Sequence, residues 1–388
     1  MTEEHIICKN CILVNGFLGI SINDQGLCNF CSDPTYVNPN WSKVQISPER
    51  REWALNDWNE VVEDMQDNHN SSQYDCIIGY SGGKDSTALV DTFISEYRLN
   101  PFLVTIDTGF MTEVAKENIK KTLAKMNLFK NHIFIDATVS TFIKLYKFHF
   151  FHHRSNEKSL TVNICHICTD LIHTIVVKEA IKRSIPYVII GFSPDQIARY
   201  FYETIPFDVI RDGTPYDQFK AILDDTDMNW YLTSEEIEAN LPRVLYPYHV
   251  IDYNEREIIT QIEEKKLIEI GKGDPVLTNC HVVKAALLYD MYRYGGITYA
   301  LQYAELIRQE EDKEARRKSR KDWLRLYKQI GKSILNGTFN MEGMGIFFRK
   351  LGISKEGLLE NIIYQRIQDP NFSQIIKNID LMMSNKLR

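Results

Sequence analysis

The chain has 388 residues, 44% of them hydrophobic and 25% charged, with a formal net charge of −7. That composition belongs to a folded protein, and the length suits two or three domains rather than one. The acidic balance argues against a broad nucleic-acid-binding face, no apolar run reaches the roughly 18 residues that span a bilayer, and the opening MTEEHIICKN lacks the basic-then-apolar order of a secretory signal; a cytoplasmic chain with no membrane association is expected.

Residues 6–31 read IICKNCILVNGFLGISINDQGLCNFC, a C-x-x-C pair, sixteen residues, and a second C-x-x-C pair. Paired knuckles at this spacing bring four thiolates into one tetrahedron, so Cys8, Cys11, Cys28 and Cys31 are expected to hold a structural zinc ion; four reduced thiols or an iron centre are the alternatives. Short apolar pieces and the turn at Asn23–Gly26 suit a small β-ribbon. Residues 32–73 predict a connector and one helix, WALNDWNEVVEDMQ.

The pattern then changes. YDCIIGY (74–80) predicts a strand, SGGKDSTALVDTFISEY a Gly-rich turn into a helix, PFLVTIDTG a second strand, EVAKENIKKTLAKMN a second helix and HIFIDAT a third strand. The His-rich KFHFFHHR (147–154) reads as a lid or surface loop, with metal ligands or an anion-binding arginine as the alternative. A helix follows from about Cys165 to Arg183, then SIPYVIIGFSPDQ as a fourth strand with its loop. Strands alternating with helices predict an α/β fold, a doubly wound parallel sheet whose ligands bind at the carboxyl ends of strands. Residues 245–268 predict a loop and a helix, in which Tyr246, Pro247, Tyr248 and His249 either line a pocket or pack; residues 271–280 predict a loop ending at Cys280, and residues 281–388 a mainly helical region whose Lys313–Lys321 charge run is a solvated helix face or a phosphate contact. The expected domains are a zinc ribbon (1–35), a helical connector (36–73), the α/β domain (74–280) and the helical region (281–388).

Ser81-Gly82-Gly83-Lys84-Asp85-Ser86 lies between an apolar strand and a helix. Glycines admit close backbone approach, and the helix start offers unpaired amides and a positive dipole end to an anion. Ser81, Ser86 and Thr87 add hydroxyl donors and Lys84 adds charge. The Walker pattern G-x-x-x-x-G-K-[ST] is absent. SGGKDS is similar to the SGGxDS signature of the PP-loop ATP pyrophosphatase superfamily, over roughly residues 74–200. The resemblance implies that this loop grips the pyrophosphate end of ATP with Mg²⁺ shielding the phosphates, that AMP is transferred to a carbonyl-type oxygen, and that ammonia or a sulfur species then displaces AMP. It further implies nucleotide or metal contacts from Asp107, in IDTG. Gly191 to Gln196, GFSPDQ, resembles the G-H-x-x-D-D turn of the tRNA-thiolating branch, with Asp195 on the first aspartate, Phe192 in place of the histidine and Gln196 in place of the second aspartate.

Cys76 falls inside the first strand and reads as a buried apolar residue. Cys165, Cys168 and Cys280 remain. A C-x-x-C with one distant cysteine resembles the tRNA 2-thiolation enzymes of the superfamily, in which three cysteines hold a 4Fe-4S cluster with one iron open to an extra sulfide. A persulfide or disulfide relay between Cys165 and Cys168, a zinc site completed by His166, His173 or His281, and a metal-free helix-start pair stay open beside it. The resulting expectation is ATP-dependent sulfur insertion, Asp195 and the three cysteines being the catalytic set, with a small-molecule acceptor ahead of tRNA, a sulfur donor, and a second copy of the chain as a further candidate partner. QGLCNFC and YDCIIGYSGGKDS also resemble N-acetyl sugar amidotransferases of surface polysaccharide pathways, which implies ammonia from a glutaminase subunit instead. A nucleotide-binding regulator is the third reading.

Overall fold

Short apolar runs form the central strands of one six-stranded sheet, in the order β3-β2-β1-β4-β6-β5. The strands are β1 (Ile77–Gly79), β2 (Phe102–Ile106), β3 (His132–Ile135), β4 (Tyr187–Ile190), β5 (Glu203–Thr204) and β6 (Arg243–Leu245). All pairs are parallel except β5 with β6, so an antiparallel edge finishes a parallel sheet. The register sets Ile78 beside Leu103 on one side and Ile189 on the other. Every residue of β2 is buried, as expected of a parallel strand covered on both faces.

The computed structural model describes residues 6–33, 35–36, 46–67, 73–154, 158–194, 200–238, 240–273, 278 and 280–384. Contacts divide the chain into two compact units: Lys43–Leu145 with Ile167–Cys280, and Met1–Ser42 with Tyr146–His166 and His281–Arg388. The first carries the sheet. Its core joins Trp58 and Met65 of helix Pro48–Asp67, Val90 and Phe93 of helix Lys84–Ser95, Ile78, Leu103, and Ile262 of helix Glu255–Glu264. Helix ends follow local chemistry: the Thr112 hydroxyl caps helix Glu113–Met126 by accepting from Ala115 N, and Asn127 closes it in the left-handed region.

The second unit joins the N-terminal ribbon to the C-terminal helices. Asn378 Nδ2 donates to Asn15 O at 2.9 Å, and a Cβ on Gly296 would lie 2.7 Å from the Phe17 ring. Six helices run from His281 to Met383, Lys313–Leu335 being the longest. The buried Asp290 carboxylate accepts from Leu160 N at 2.8 Å and Thr161 Oγ1 at 2.6 Å, capping helix Leu160–Arg183 from a distant part of the chain.

Two elements differ from the sequence expectation. KFHFFHHR is not a loop; through His152 it is the end of helix Val139–His152. Its apolar residues Phe142, Tyr146 and Phe150 recur at helical spacing and are buried, with Phe150 and Phe347 centroids 4.6 Å apart. Helix Leu160–Lys182 is, among the described residues, the one helix long and apolar enough to cross a membrane by length and composition. Counting contiguous apolar residues misses it, because Thr169, Asp170 and Thr174 interrupt the run without breaking the helix. Over half of that window is buried, with Leu171, Ile175, Val176 and Ala180 at 2% exposure or less.

Burial holds His132, His149, His153 and His173 down to about 4. The unfolded chain takes up these protons nearer pH 6.5, so their contribution to stability is full above about 6.5 and is lost as pH falls toward 4. Asp290, pushed up to about 6 by burial, opposes this over part of the range, one carboxyl against four imidazoles. The melting temperature is expected to fall as pH drops from 6.5 to 4, with a shallower slope for His153→Gln; a flat profile in the wild-type chain would contradict the burial of these rings.

Candidate functional site

The strand order reverses at β1, which has β2 on one side and β4 on the other. Loops leaving two neighbouring strands in opposite directions open a crevice at their carboxyl ends, where ligands of such sheets bind. Ser81-Gly82-Gly83 leaves β1 at that point and runs into helix Lys84–Ser95. Gly82 has φ +75°, and a Cβ there would lie 2.4 Å from Ala115 O, so no other residue fits. Ser81 Oγ lies 3.1 Å from Ser86 Oγ and accepts from Gly83 N at 3.4 Å, which folds the loop over the helix start. The Gly191 backbone at the end of β4 packs on this loop, since a Cβ there would lie 3.4 Å from Ser86 N. Asn118 Nδ2 donates to Gly82 O at 3.1 Å and Lys272 O at 3.0 Å, tying the loop to the following helix and to a later segment.

Lys84 is 5% exposed and its ammonium is well supplied with acceptors. It reaches Asp85 Oδ1 and Oδ2 at 2.9 and 2.8 Å, the Tyr253 hydroxyl at 2.9 Å and Glu255 Oε1 at 3.3 Å. Tyr253 in turn donates to Asp85 Oδ1 at 2.7 Å, and Tyr248 donates to Asp85 O at 3.1 Å. Asp107, at the end of β2, uses its carboxylate locally: Oδ1 accepts from Gly109 N at 2.7 Å, an Asx-type turn that shapes IDTG. The Phe192 and Tyr246 rings stack at 5.7 Å with 2° between planes, and His173 packs on both. Asp195 and Gln196 lie outside the described residues, as does most of 274–279.

In the other unit, the sulfurs of Cys8, Cys11, Cys28 and Cys31 all lie within 4.8 Å of one another, three of the residues being buried. Cys11 Sγ and Cys28 Sγ are 3.6 Å apart. Bonds of about 2.3 Å from a tetrahedral ion put ligand sulfurs roughly 3.8 Å apart, so this donor set fits zinc. Hydrogen bonding from Cys11 drives the Cys8 and Cys28 thiols down, and hydrogen bonding to Cys28 drives Cys11 up: thiolates and thiols share protons in a space a cation would fill. The knuckles are fixed from outside by Arg320, whose Nε donates to Cys11 O and Nη2 to Cys8 O, both at 2.8 Å, while the Arg308 guanidinium lies 5.0 Å from the Phe30 ring centroid. Arg320 belongs to the charged run of helix Lys313–Leu335; the run is more than a solvated face, because this one side chain turns onto the ribbon.

Cys165 and Cys168 stand three residues apart on helix Leu160–Arg183, both half-buried, and Cys280 is half-buried directly before helix His281–Tyr294. None of the eight cysteines is in a disulfide. Sequence reasoning missed Tyr253, Glu255, Asn118, Arg308 and Arg320. The only local sign of the first two was Asn254, a helix-capping residue that accepts from Arg256 N at 3.1 Å and marks a helix start.

No family model matches the chain. An uncharacterized protein of Methanocaldococcus jannaschii is 28% identical over 99 residues, 25% of this chain and 31% of that one, so the chain spans about a third of the curated relative it matches. The solved U34-tRNA thiolase NcsA from Methanococcus maripaludis, with its 4Fe-4S cluster, is similar at a TM-score of 0.31 and 12% identity, covering 76% of this chain and 89% of that one. A likeness of that size carries no argument about activity, and neither comparison assigns a family.

Cys8→Ser is expected to abolish retention of about one zinc per chain and to lower the melting temperature. Metal analysis and thermal unfolding check it, with Cys76→Ser as the control; an unchanged metal content and melting temperature would remove the ribbon site.

Proposed function

We propose that the chain is an ATP-dependent enzyme that adenylates a carbonyl oxygen and then replaces that oxygen with sulfur. The observation that carries the reading is SGGKDS at the carboxyl end of the central strand β1, where the strand order reverses. Amides of the first helical turn, the Ser81 and Ser86 hydroxyls and Lys84 are the donors that would bind a polyphosphate. The Gly191 backbone at the end of β4 lies against the start of the loop helix, beside Ser86 and Asp85, which puts the end of β4 next to the proposed phosphate site.

In this chemistry the acceptor oxygen attacks the α-phosphorus, and the bond to pyrophosphate breaks. The loop neutralises the departing pyrophosphate through Lys84 and oriented amides, with Mg²⁺ sharing the charge. The sulfur nucleophile then attacks the activated carbon, and AMP leaves with the original oxygen. Cys165, Cys168 and Cys280 are the thiolates that would hold a 4Fe-4S cluster, to which they are suited by softness; when bound, the cluster would hold and present a sulfide delivered by a sulfur donor. The resemblance to thiolating enzymes supports that assignment, and Asp195 belongs to the same reading. The acidic net charge favours a small-molecule acceptor over tRNA.

A second reading, an N-acetyl sugar amidotransferase fed with ammonia, is favoured by the ribbon quartet together with its QGLCNFC spelling. Amidine formation uses the same adenylate and needs no cluster.

The test is oxygen-free purification followed by iron, sulfide and zinc analysis. About four irons, four sulfides and one zinc per chain are expected. Cys280→Ser should lose the iron and keep the zinc, and Lys84→Ala should weaken ATP turnover without unfolding the chain. Zinc without iron after anaerobic reconstitution would overturn the cluster route in favour of the ammonia reaction or a cysteine relay. Unchanged ATP turnover in Lys84→Ala would remove the phosphate-loop assignment itself.

A further inference from the structure

An ammonium group has three hydrogens to donate. On Lys84 they meet the Asp85 carboxylate at 2.8–2.9 Å, the Tyr253 hydroxyl at 2.9 Å and the Glu255 carboxylate at 3.3 Å. These partners are unequal. Asp85 is adjacent in the chain and its side chain is 16% exposed, whereas the Glu255 side chain is 53% exposed and makes the longest contact. Tyr253 is the hinge of the arrangement, since it accepts from Lys84 and donates to Asp85 Oδ1 at 2.7 Å, so its one hydroxyl fixes both charged groups. Its ring is held edge-on against Tyr248, with centroids 5.3 Å apart.

An anion arriving at the loop meets Lys84 with an acidic group already on it. Displacing Asp85 would break a two-oxygen contact that Tyr253 also braces. Displacing Glu255 breaks a single, longer ion pair to a half-exposed carboxylate, which solvent screens. The cheaper exchange is the second.

We infer that Tyr253 and Glu255 are the steering pair of Lys84 in the phosphate loop: Tyr253 aims the ammonium and Asp85, and Glu255 occupies the place on the ammonium that a phosphate oxygen takes when nucleotide binds. The inference rests on the reading of SGGKDS as an ATP phosphate site and adds two positioning residues to it, about 170 positions later in the chain. The two residues act with opposite sign. Tyr253 holds Lys84 where the phosphates need it, so its loss weakens binding. Glu255 competes with the phosphates, so neutralising it strengthens binding. Neither affects a ligand that lacks phosphates.

Equilibrium binding of ATP with Mg²⁺, and separately of adenosine, is measured by titration calorimetry on the full chain. Tyr253→Phe should weaken ATP roughly threefold to tenfold, the share of one hydrogen-bonding hydroxyl. Glu255→Gln should tighten ATP by about twofold to fivefold, the share of an exposed ion pair. Adenosine affinity should stay at the wild-type value in both. Glu255→Gln that leaves ATP unchanged or weakens it overturns the inference, and so does Tyr253→Phe that weakens adenosine as much as ATP, since that is the mark of a merely structural role. Lys84→Ala separates the two levels. If it weakens ATP while Glu255→Gln has no effect, only the steering pair falls. If Lys84→Ala leaves ATP binding intact, the phosphate-loop reading falls and the steering pair with it.

Discussion

Strand β1 hydrogen-bonds in parallel to β2 on one side and to β4 on the other. Much of the sheet-bearing unit follows from that double pairing. It buries Ile77 and Ile78 completely, which requires helices over both faces. It also places the strand-order reversal between β1 and β4, the point where sheets of this kind bind ligands, with Ser81–Lys84 leaving one strand and Gly191 the other. Gly82 is the point at which the constraint is tightest: its positive φ and the 2.4 Å approach to Ala115 O exclude any side chain.

The charge on Lys84 is met within the fold. A lysine that is 5% exposed must have its charge met, and here two carboxylates and a phenol meet it. Such a site does not present a bare cation to every passing anion. An incoming anion has to offer a better set of oxygens than the one already in place. The same arrangement keeps Lys84 ordered at the loop.

The ribbon solves a different problem. A segment of about thirty residues has too little apolar surface to fold alone, and its four cysteines converge where an ion would supply the missing cross-links. The knuckle carbonyls at Cys8 and Cys11 then need donors, and Arg320 provides both from the C-terminal helical region. The first and last parts of the chain therefore form one unit, with Asn378 Nδ2 on Asn15 O closing the same contact.

The elements that announce themselves locally were legible in the sequence. Alternating apolar runs and amphipathic repeats predicted the four strands β1–β4 and the helices between them, because parallel core strands and one-sided helices impose their own periodicity. The two C-x-x-C pairs predicted a four-cysteine set, because metal-ligand spacing is a property of neighbouring residues. KFHFFHHR misled, since histidines scored as polar although four-residue spacing of aromatics had put the segment on a buried helix. β5 and β6 escaped notice because strands of two and three residues carry too few side chains to show a period. What only the tertiary structure decided are the pairings across long stretches of chain: Arg320 on the ribbon carbonyls, Asp290 on the start of helix Leu160–Arg183, and Tyr253 and Glu255 on Lys84. Each joins a charged or polar group to a partner roughly 130 to 310 residues away. The composition around such a residue is that of an ordinary surface, and only the burial created by the fold makes the partner necessary.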